Sequence, residues 1–324
     1  MDKPIPSLSP SRQIVFHQLL VAARKGVLMD ALSEALAQID PNAIKKQVMQ
    51  YVPADAQRIL AASGIRDEHV FPLPLVLETK PTLIGYYRLL LGVSQKRFYR
   101  TGTGMGPFKN MEERGLINMK RRPPLEKFAE IMALQLADLV RQISPKITAR
   151  DVSELPLLTL GAQFYGSNNN AIGKRATTDV FLSVAEIVKR FIITQDTKKI
   201  TIRNASERIV VIAQATDPDI RIQEKFQEGQ LRNKVAIEIK GGTDNSNAHN
   251  RAGEAEKSHQ KARNAGFRDF WTIISTTGVN QRKLREESPT TTSWFDVAQV
   301  LAREGPDWEE FRSRFAGETG IPMA

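Results

Sequence analysis

The chain has 324 residues, 41% of them hydrophobic, a formal net charge of +10 and no cysteine. That length allows one large domain or two ordinary ones, and the missing cysteines exclude disulfides, thiolate zinc sites and cysteine nucleophiles. No apolar run reaches the roughly 18 residues of a membrane helix, and MDKPIPSLSPSRQ lacks a signal core, so a cytoplasmic protein without a membrane partner is expected.

Residues 1–150 read mainly as helix. Ser9 or Ser11 starts one that runs to about Leu28, and Met29 to Ile39 continues it or forms a second. Asp40-Pro41-Asn42 opens another, because proline suits the first helical turn. Pro53 begins a short helix that Gly64 stops. Pro72 to Pro81 is rich in proline and reads as extended chain or loop. Thr82 to Tyr99 carries a helical stripe of Leu83, Tyr86, Tyr87, Leu90 and Leu91.

Lys96 to Arg122 holds eight basic and two acidic residues, so much of the net charge sits there, ending on Lys120, Arg121 and Arg122. Phe98, Tyr99 and Phe108 interleave with the charges, and such a stretch can grip phosphates. Gly102, Gly104 and Gly106 imitate a nucleotide fingerprint, but Pro107 breaks the spacing and no strand leads in, so no nucleotide cofactor is expected. Leu125 to Ile143 is an amphipathic helix, and Ser144 to Pro156 is the best domain-boundary candidate.

Beyond it, Leu157 to Gly166 reads as a strand and Ser167 to Asp179 as a polar turn, with Thr177 or Thr178 capping a helix from Asp179 to Phe191. Strands follow at Lys199 to Asn204 and Arg208 to Asp217. A hairpin, a helix from Ala248 to Ala265 and a strand at Phe270 to Thr276 come next. Short helices near Trp294 to Arg303 and Asp307 to Phe315 end the chain. This order predicts an α/β (α+β) fold, a mixed sheet flanked by helices.

The hairpin carries the chemistry. Read with period two, Asp219, Arg221 and Gln223 share one face of its first strand. Glu238 and Lys240 share one face of the second, while Val235, Ile237 and Ile239 point the other way. A turn centred on Glu228 and Gly229 puts Asp219 opposite Glu238, roughly 5 Å apart at Cβ. Two carboxylates so placed repel, and a hard cation such as Mg²⁺ relieves the repulsion. Lys240 there can orient or deprotonate a water, or stabilise charge on a phosphate. The bland alternative is a solvated strand face with an ion pair. An acid two residues before a lysine also occurs at Glu78-Thr-Lys80 and Asp196-Thr-Lys198, without a Pro-Asp and hairpin ahead of it.

Pro218-Asp219 followed by Glu238-Ile-Lys240 resembles the PD-(D/E)xK nuclease signature. Thr79 to Gly115 and Ala236 to His259 are similar to type II restriction endonucleases of the XcyI and XmaI kind. That resemblance implies a homodimeric, Mg²⁺-dependent enzyme that cuts double-stranded DNA at the palindrome CCCGGG and leaves a 5′ overhang. The helical reading of residues 1–150 and the sheet order beyond them divide the chain into a helical region over 1–150, expected to support DNA binding and dimerisation, and a catalytic core over 151–324. Asp219 and Glu238 would bind the metal, Lys240 would be the catalytic lysine, and Glu186 is the candidate for an assisting acid on a helix. The competing readings are a structure-specific or repair nuclease and a non-catalytic DNA-binding protein.

Amides and guanidinium groups flank the proposed sheet. Asn245, Asn247, Asn250 and Arg251 follow the hairpin, and Asn168 to Asn170 (Asn169 at their centre), Lys174 and Arg175 precede the helix at Asp179. Such side chains reach base edges, arginine suiting guanine, and Arg251 is the first choice. Taken singly, each is an ordinary loop or cap residue. Glu254 and Glu256 could accept from cytosine or add a carboxylate beside the metal. His249-Asn250 and His259 do not make a histidine metal finger, since ten residues on one helix separate the histidines, and His259 reads as a polar helix-surface residue. No serine-hydrolase elbow or P-loop occurs.

Overall fold

The computed structural model describes residues 11–118, 120, 123–143, 147–226, 229–241, 248–276 and 278–323. They group into two compact units, one up to Gly166 and one from Ser167 onward.

The first unit is helical. It contains α1 (Ser11–Val27), α2 (Met29–Leu36), α3 (Pro41–Tyr51), α4 (Ala54–Ala62), α5 (Pro74–Thr79), α6 (Ile84–Leu90), α7 (Gln95–Phe98), α8 (Lys109–Arg114) and α9 (Leu125–Ile143). The start signals act as expected: Asp40 accepts from the Asn42 amide at 3.1 Å with Pro41 behind it, and Gly64 follows α4 in the left-handed region at φ 67°. Its core includes Leu32, Leu60, Phe71, Tyr87, Phe128 and Leu136. The prolines at 72–81 do not keep that segment extended. Pro74 sits in the first turn of α5, where a missing N–H costs nothing, and Pro81 opens a 3₁₀ turn.

Helix α10 (Ala149–Val188) overturns three local expectations. Leu157 to Gly166 is not a strand, Ser167 to Asp179 is not a turn, and Thr177 and Thr178 cap nothing. Their hydroxyls bond back to the carbonyls of Gly173 and Lys174 inside one continuous helix. Toward its end, Val180, Val184 and Val188 recur at four-residue spacing and are fully buried.

The second unit is built on a seven-stranded mixed sheet whose spatial order equals its chain order. The strands are β1 (Ile192–Gln195), β2 (Lys199–Arg203), β3 (Ile209–Gln214), β4 (Ile220–Lys225), β5 (Leu231–Lys240), β6 (Asp269–Ile274) and β7 (Ser293–Asp296). The first five run antiparallel to their neighbours, and β6 and β7 continue parallel to β5. Strand β1 was not foreseen. Strand β7 takes Trp294, which had been expected in a helix; the helix there, α13 (Val297–Ala302), starts only after Asp296 caps it.

Period two sorts the side chains of this sheet. Ile220, Ile222, Val235, Ile237 and Ile239 enter one core with the end of α10 and with Trp308, Phe311 and Phe315 of α14 (Pro306–Thr319). Ala236 points to the opposite face and packs with Ala262, Phe267 and Phe270 around α11 (Ala248–Asn264). Leu284 of α12 (Gln281–Glu287) joins Ala248 and Ala252 there. Both faces of β5 are therefore covered, and a polar side chain on it must find a partner.

Candidate active site

Strands β4 and β5 pair as Ile220 with Ile237, Arg221 with Ala236 and Ile222 with Val235. This is the register expected from a symmetric hairpin. A bulge after Ile222 shifts the rest by one residue, on the side away from the acids. Asp219 precedes β4, and its Oδ2 accepts from the Ile239 amide at 2.8 Å. Asp219 is thus bonded to the backbone between Glu238 and Lys240.

Glu238 is buried, facing α11. Its Oε1 accepts from Lys240 Nζ at 2.9 Å, and its Oε2 accepts from Ser258 Oγ at 2.8 Å. Lys240 Nζ is also 3.7 Å from Glu254 Oε2. Asp217 stands at the rim, bonded to Ser258 Oγ and, at 2.7 Å, to Lys261 Nζ. Gly241 ends the strand against α10, where an added Cβ would lie 2.1 Å from Ala176 Cβ. No larger residue fits without moving the helix.

Acid outweighs base in this cluster. Burial and the nearby Glu238 charge push the Asp219 carboxyl up to about 6. Burial alone would lower Lys240, but Glu238, Glu254 and Asp219 outweigh it and hold the ammonium above its ordinary value. Lys240 therefore stays charged and acts as a hydrogen-bond donor.

The cluster suits a hard divalent ion. Asp219 and Glu238 offer oxygen only, and their mutual repulsion is relieved by positive charge. Among the described residues no group of three or more His, Cys, Asp or Glu is arranged to hold a metal. Mg²⁺ needs no such cage, since it keeps several waters and uses one or two carboxylates.

The other expected site residues scatter. Glu186 is exposed on α10, 3.6 Å from Lys189, in a cavity lined also by Trp308, Arg312 and Met323. Asp217, which had not been singled out, is a further carboxylate in contact with the cluster, along with Glu254. Asn169, Lys174 and Arg175 are exposed on α10, with Arg175 3.6 Å from Asp179. Asn250 is exposed and Arg251 half-buried in the first turn of α11. Asn245 and Asn247 lie outside the described residues, as do Arg121 and Arg122. Lys120 is exposed. In the basic stretch, Phe98 and Phe108 turn inward onto Phe128 at 6.4 and 4.7 Å, and the Tyr99 hydroxyl bonds Glu112 at 2.7 Å. Those aromatics belong to the core, while Lys96, Arg97, Arg100, Lys109 and Arg114 face outward.

Two further residues were missed or misread. Ser258 carried no signal beyond its place among small residues. His259 is fully buried rather than on the helix surface, with Nε2 2.8 Å from Thr272 Oγ1 and its ring against Phe270. Its spacing from Ala252 and Ala255 on the helix was the available clue.

Comparison with known proteins shows the family of the chain. A sequence model of the XcyI restriction endonuclease family matches residues 17–322. The type II restriction enzyme Cfr9I of Citrobacter freundii is 39% identical over 327 residues, covering 100% of this chain and 99% of that protein. The type II restriction enzyme XcyI of Xanthomonas campestris pv. cyanopsidis is 39% identical over 316 residues, covering 97% and 95%.

Proposed function

The chain belongs to the XcyI restriction endonuclease family, and from that premise we propose that Asp219, Glu238 and Lys240 hydrolyse double-stranded DNA at CCCGGG with Mg²⁺. The observation that carries this reading is the convergence of the three side chains on one hairpin, with Asp219 bonded to the Ile239 amide and Lys240 to Glu238. Asp219 and Glu238 would hold the ion. When bound, Mg²⁺ would supply positive charge at the scissile phosphate and offset the negative charge of the two carboxylates. Lys240, kept as an ammonium by its acid neighbours, orients the attacking water and stabilises negative charge gathering on the phosphate oxygens.

The protein works as a two-fold dimer in this reading, because a palindrome offers the same half-site to each subunit and one site cuts one strand. Arg251 is the first candidate to take guanine N7 and O6, with Asn250, Asn169, Lys174 and Arg175 as further contacts. Its replacement by alanine costs about 1–3 kcal/mol of discrimination at one base pair. Lys120, Arg121 and Arg122 hold phosphates, and their joint replacement by alanine flattens the salt dependence of binding by up to about three units of slope.

Plasmid digestion in Mg²⁺ or EDTA, with the cut ends sequenced, tests the whole. Discrete fragments ending within CCCGGG with a 5′ overhang, seen only in Mg²⁺, are expected. Discrete fragments ending elsewhere overturn the site and keep the nuclease. A smear means a nuclease without sequence reading, and a gel shift without cleavage means a binding protein.

A further inference from the structure

We infer that Ser258 is a positioning residue whose hydroxyl sets the orientation of the Glu238 carboxylate. The inference rests on the role proposed for Glu238 above. Helix α11 presents Ala252, Ala255, Ser258 and Ala262 on its buried side, so small side chains let it lie close to β5 and β6. Ser258 places a hydroxyl where this stripe otherwise carries methyl groups. That hydroxyl turns to the Glu238 and Asp217 side chains.

A hydroxyl has one proton to give, and here two carboxylates compete for it. Lys261 decides the competition. Its Nζ bonds Asp217 at 2.7 Å, so Asp217 keeps a donor when the Ser258 proton turns to Glu238. Glu238 is then gripped at both oxygens, by Ser258 at 2.8 Å and by Lys240 at 2.9 Å. Two bonds at opposite oxygens fix the plane of a carboxylate, which one bond leaves free to rotate.

The helix is also pinned on both sides of Ser258. Two residues earlier, Glu256 accepts from Ser288 Oγ and from the Thr290 amide, each at 3.0 Å. One residue later, His259 bonds Thr272, the β6 residue paired with Glu238 itself. The Ser258 oxygen cannot drift without breaking these bonds. A serine buried only for packing would return its proton to a helix carbonyl, as the buried Ser183 does to Asp179 on α10.

The test compares the full chain with Ser258→Ala, Ser258→Thr and Glu238→Ala. Single-turnover plasmid cleavage in Mg²⁺ is one readout. Mn²⁺ binding to the DNA-free protein, followed by electron paramagnetic resonance, is the other. Supporting residues around metal ligands are worth roughly 10–100-fold in affinity or rate. Ser258→Ala is expected to cleave at least about tenfold more slowly and to need about tenfold more Mn²⁺ for half-occupancy. Ser258→Thr, which keeps the hydroxyl, is expected to recover most of both. Wild-type rate and Mn²⁺ binding in Ser258→Ala, beside an inactive Glu238→Ala, overturn the inference and leave the site standing. A slow Ser258→Ala with unchanged Mn²⁺ binding overturns it too, since that would be a loss of packing, as does a wild-type chain that binds no Mn²⁺. Cleavage by Glu238→Ala at the wild-type rate removes the site and this inference together.

Discussion

Each unit buries a cation against acids, and the two do it in opposite ways. In the helical unit, Arg88 donates to both oxygens of Glu112 and to the Val93 carbonyl, while Tyr99 bonds Glu112 at 2.7 Å. The side chains of that pair are 3% and 8% exposed, one cation stands against one anion, and the donors are matched to acceptors. In the sheet unit, Lys240 stands among Glu238, Asp219 and Glu254, and one serine hydroxyl serves two carboxylates. The first arrangement is complete and staples a segment to its core. The second has more acid than base and can accept a further cation. A buried ion pair alone therefore marks nothing functional, whereas an excess of acid leaves a place for a further cation.

Breaking the unbalanced cluster has the largest expected effect. Asp219→Ala, Glu238→Ala and Lys240→Ala should each lower cleavage by about a thousandfold or more, with circular dichroism unchanged. Plasmid digestion reads this directly, and a cleaving Glu238→Ala protein would contradict it. Breaking the balanced pair should do the reverse. Arg88→Met leaves Glu112 buried and uncompensated, which costs about 3–5 kcal/mol of stability. Urea unfolding measures that loss, while the folded fraction still cleaves. Replacing both partners, Arg88→Met with Glu112→Leu, should lose less than the single change.

The pH dependence of stability sharpens the contrast from another buried group. Burial pushes the His259 imidazole down to about 4, against about 6.5 in an unfolded chain. Between those values the unfolded chain holds a proton that the folded one refuses. Stability is therefore full above pH 6.5 and falls as the pH drops toward 4, by about 3 kcal/mol at most. His259→Gln should remove that part of the acid sensitivity, seen as a smaller shift in urea midpoint between pH 7.5 and 4.5. The smallest effect belongs to the two chance copies of the acid-x-lysine pattern. Lys80 pairs at 2.5 Å with Glu34, not with Glu78, and Asp196 accepts from the Lys198 and Lys199 amides in a turn. Lys80→Ala and Lys198→Ala should leave the cleavage rate within about twofold, because exposed pairs of this kind contribute little.

The sequence by itself determined the features that depend on neighbours along the chain. Period two separated Ile220 and Ile222 from Arg221, and Val235, Ile237 and Ile239 from Ala236, Glu238 and Lys240. The level of Asp219 against Glu238 was only partly legible, because the pairs nearer the turn, such as Lys225 with Leu231, run one residue out of that register and the bulge after Ile222 restores it. Asp40-Pro41 and Gly64 marked helix ends because a cap or a left-handed residue acts within one turn. Tertiary structure alone decided the rest. Gly161, Gly166, Asn168 to Asn170 and Gly173 are poor helix formers, yet α10 runs through them, since propensity is a weak prior that packing overrides. Within its own unit each end has such packing, Leu160 and Phe164 with Leu20 and Val27, and Val180, Val184 and Val188 with the sheet. Strand β7 has four residues and exists by pairing with β6. Ser258 and His259 look like ordinary helix residues in sequence, and their contacts come from facing Glu238 and Thr272 on strands elsewhere in the chain. A hydroxyl shared by two carboxylates is a relation between three distant residues, and only folding brings them within reach of one proton.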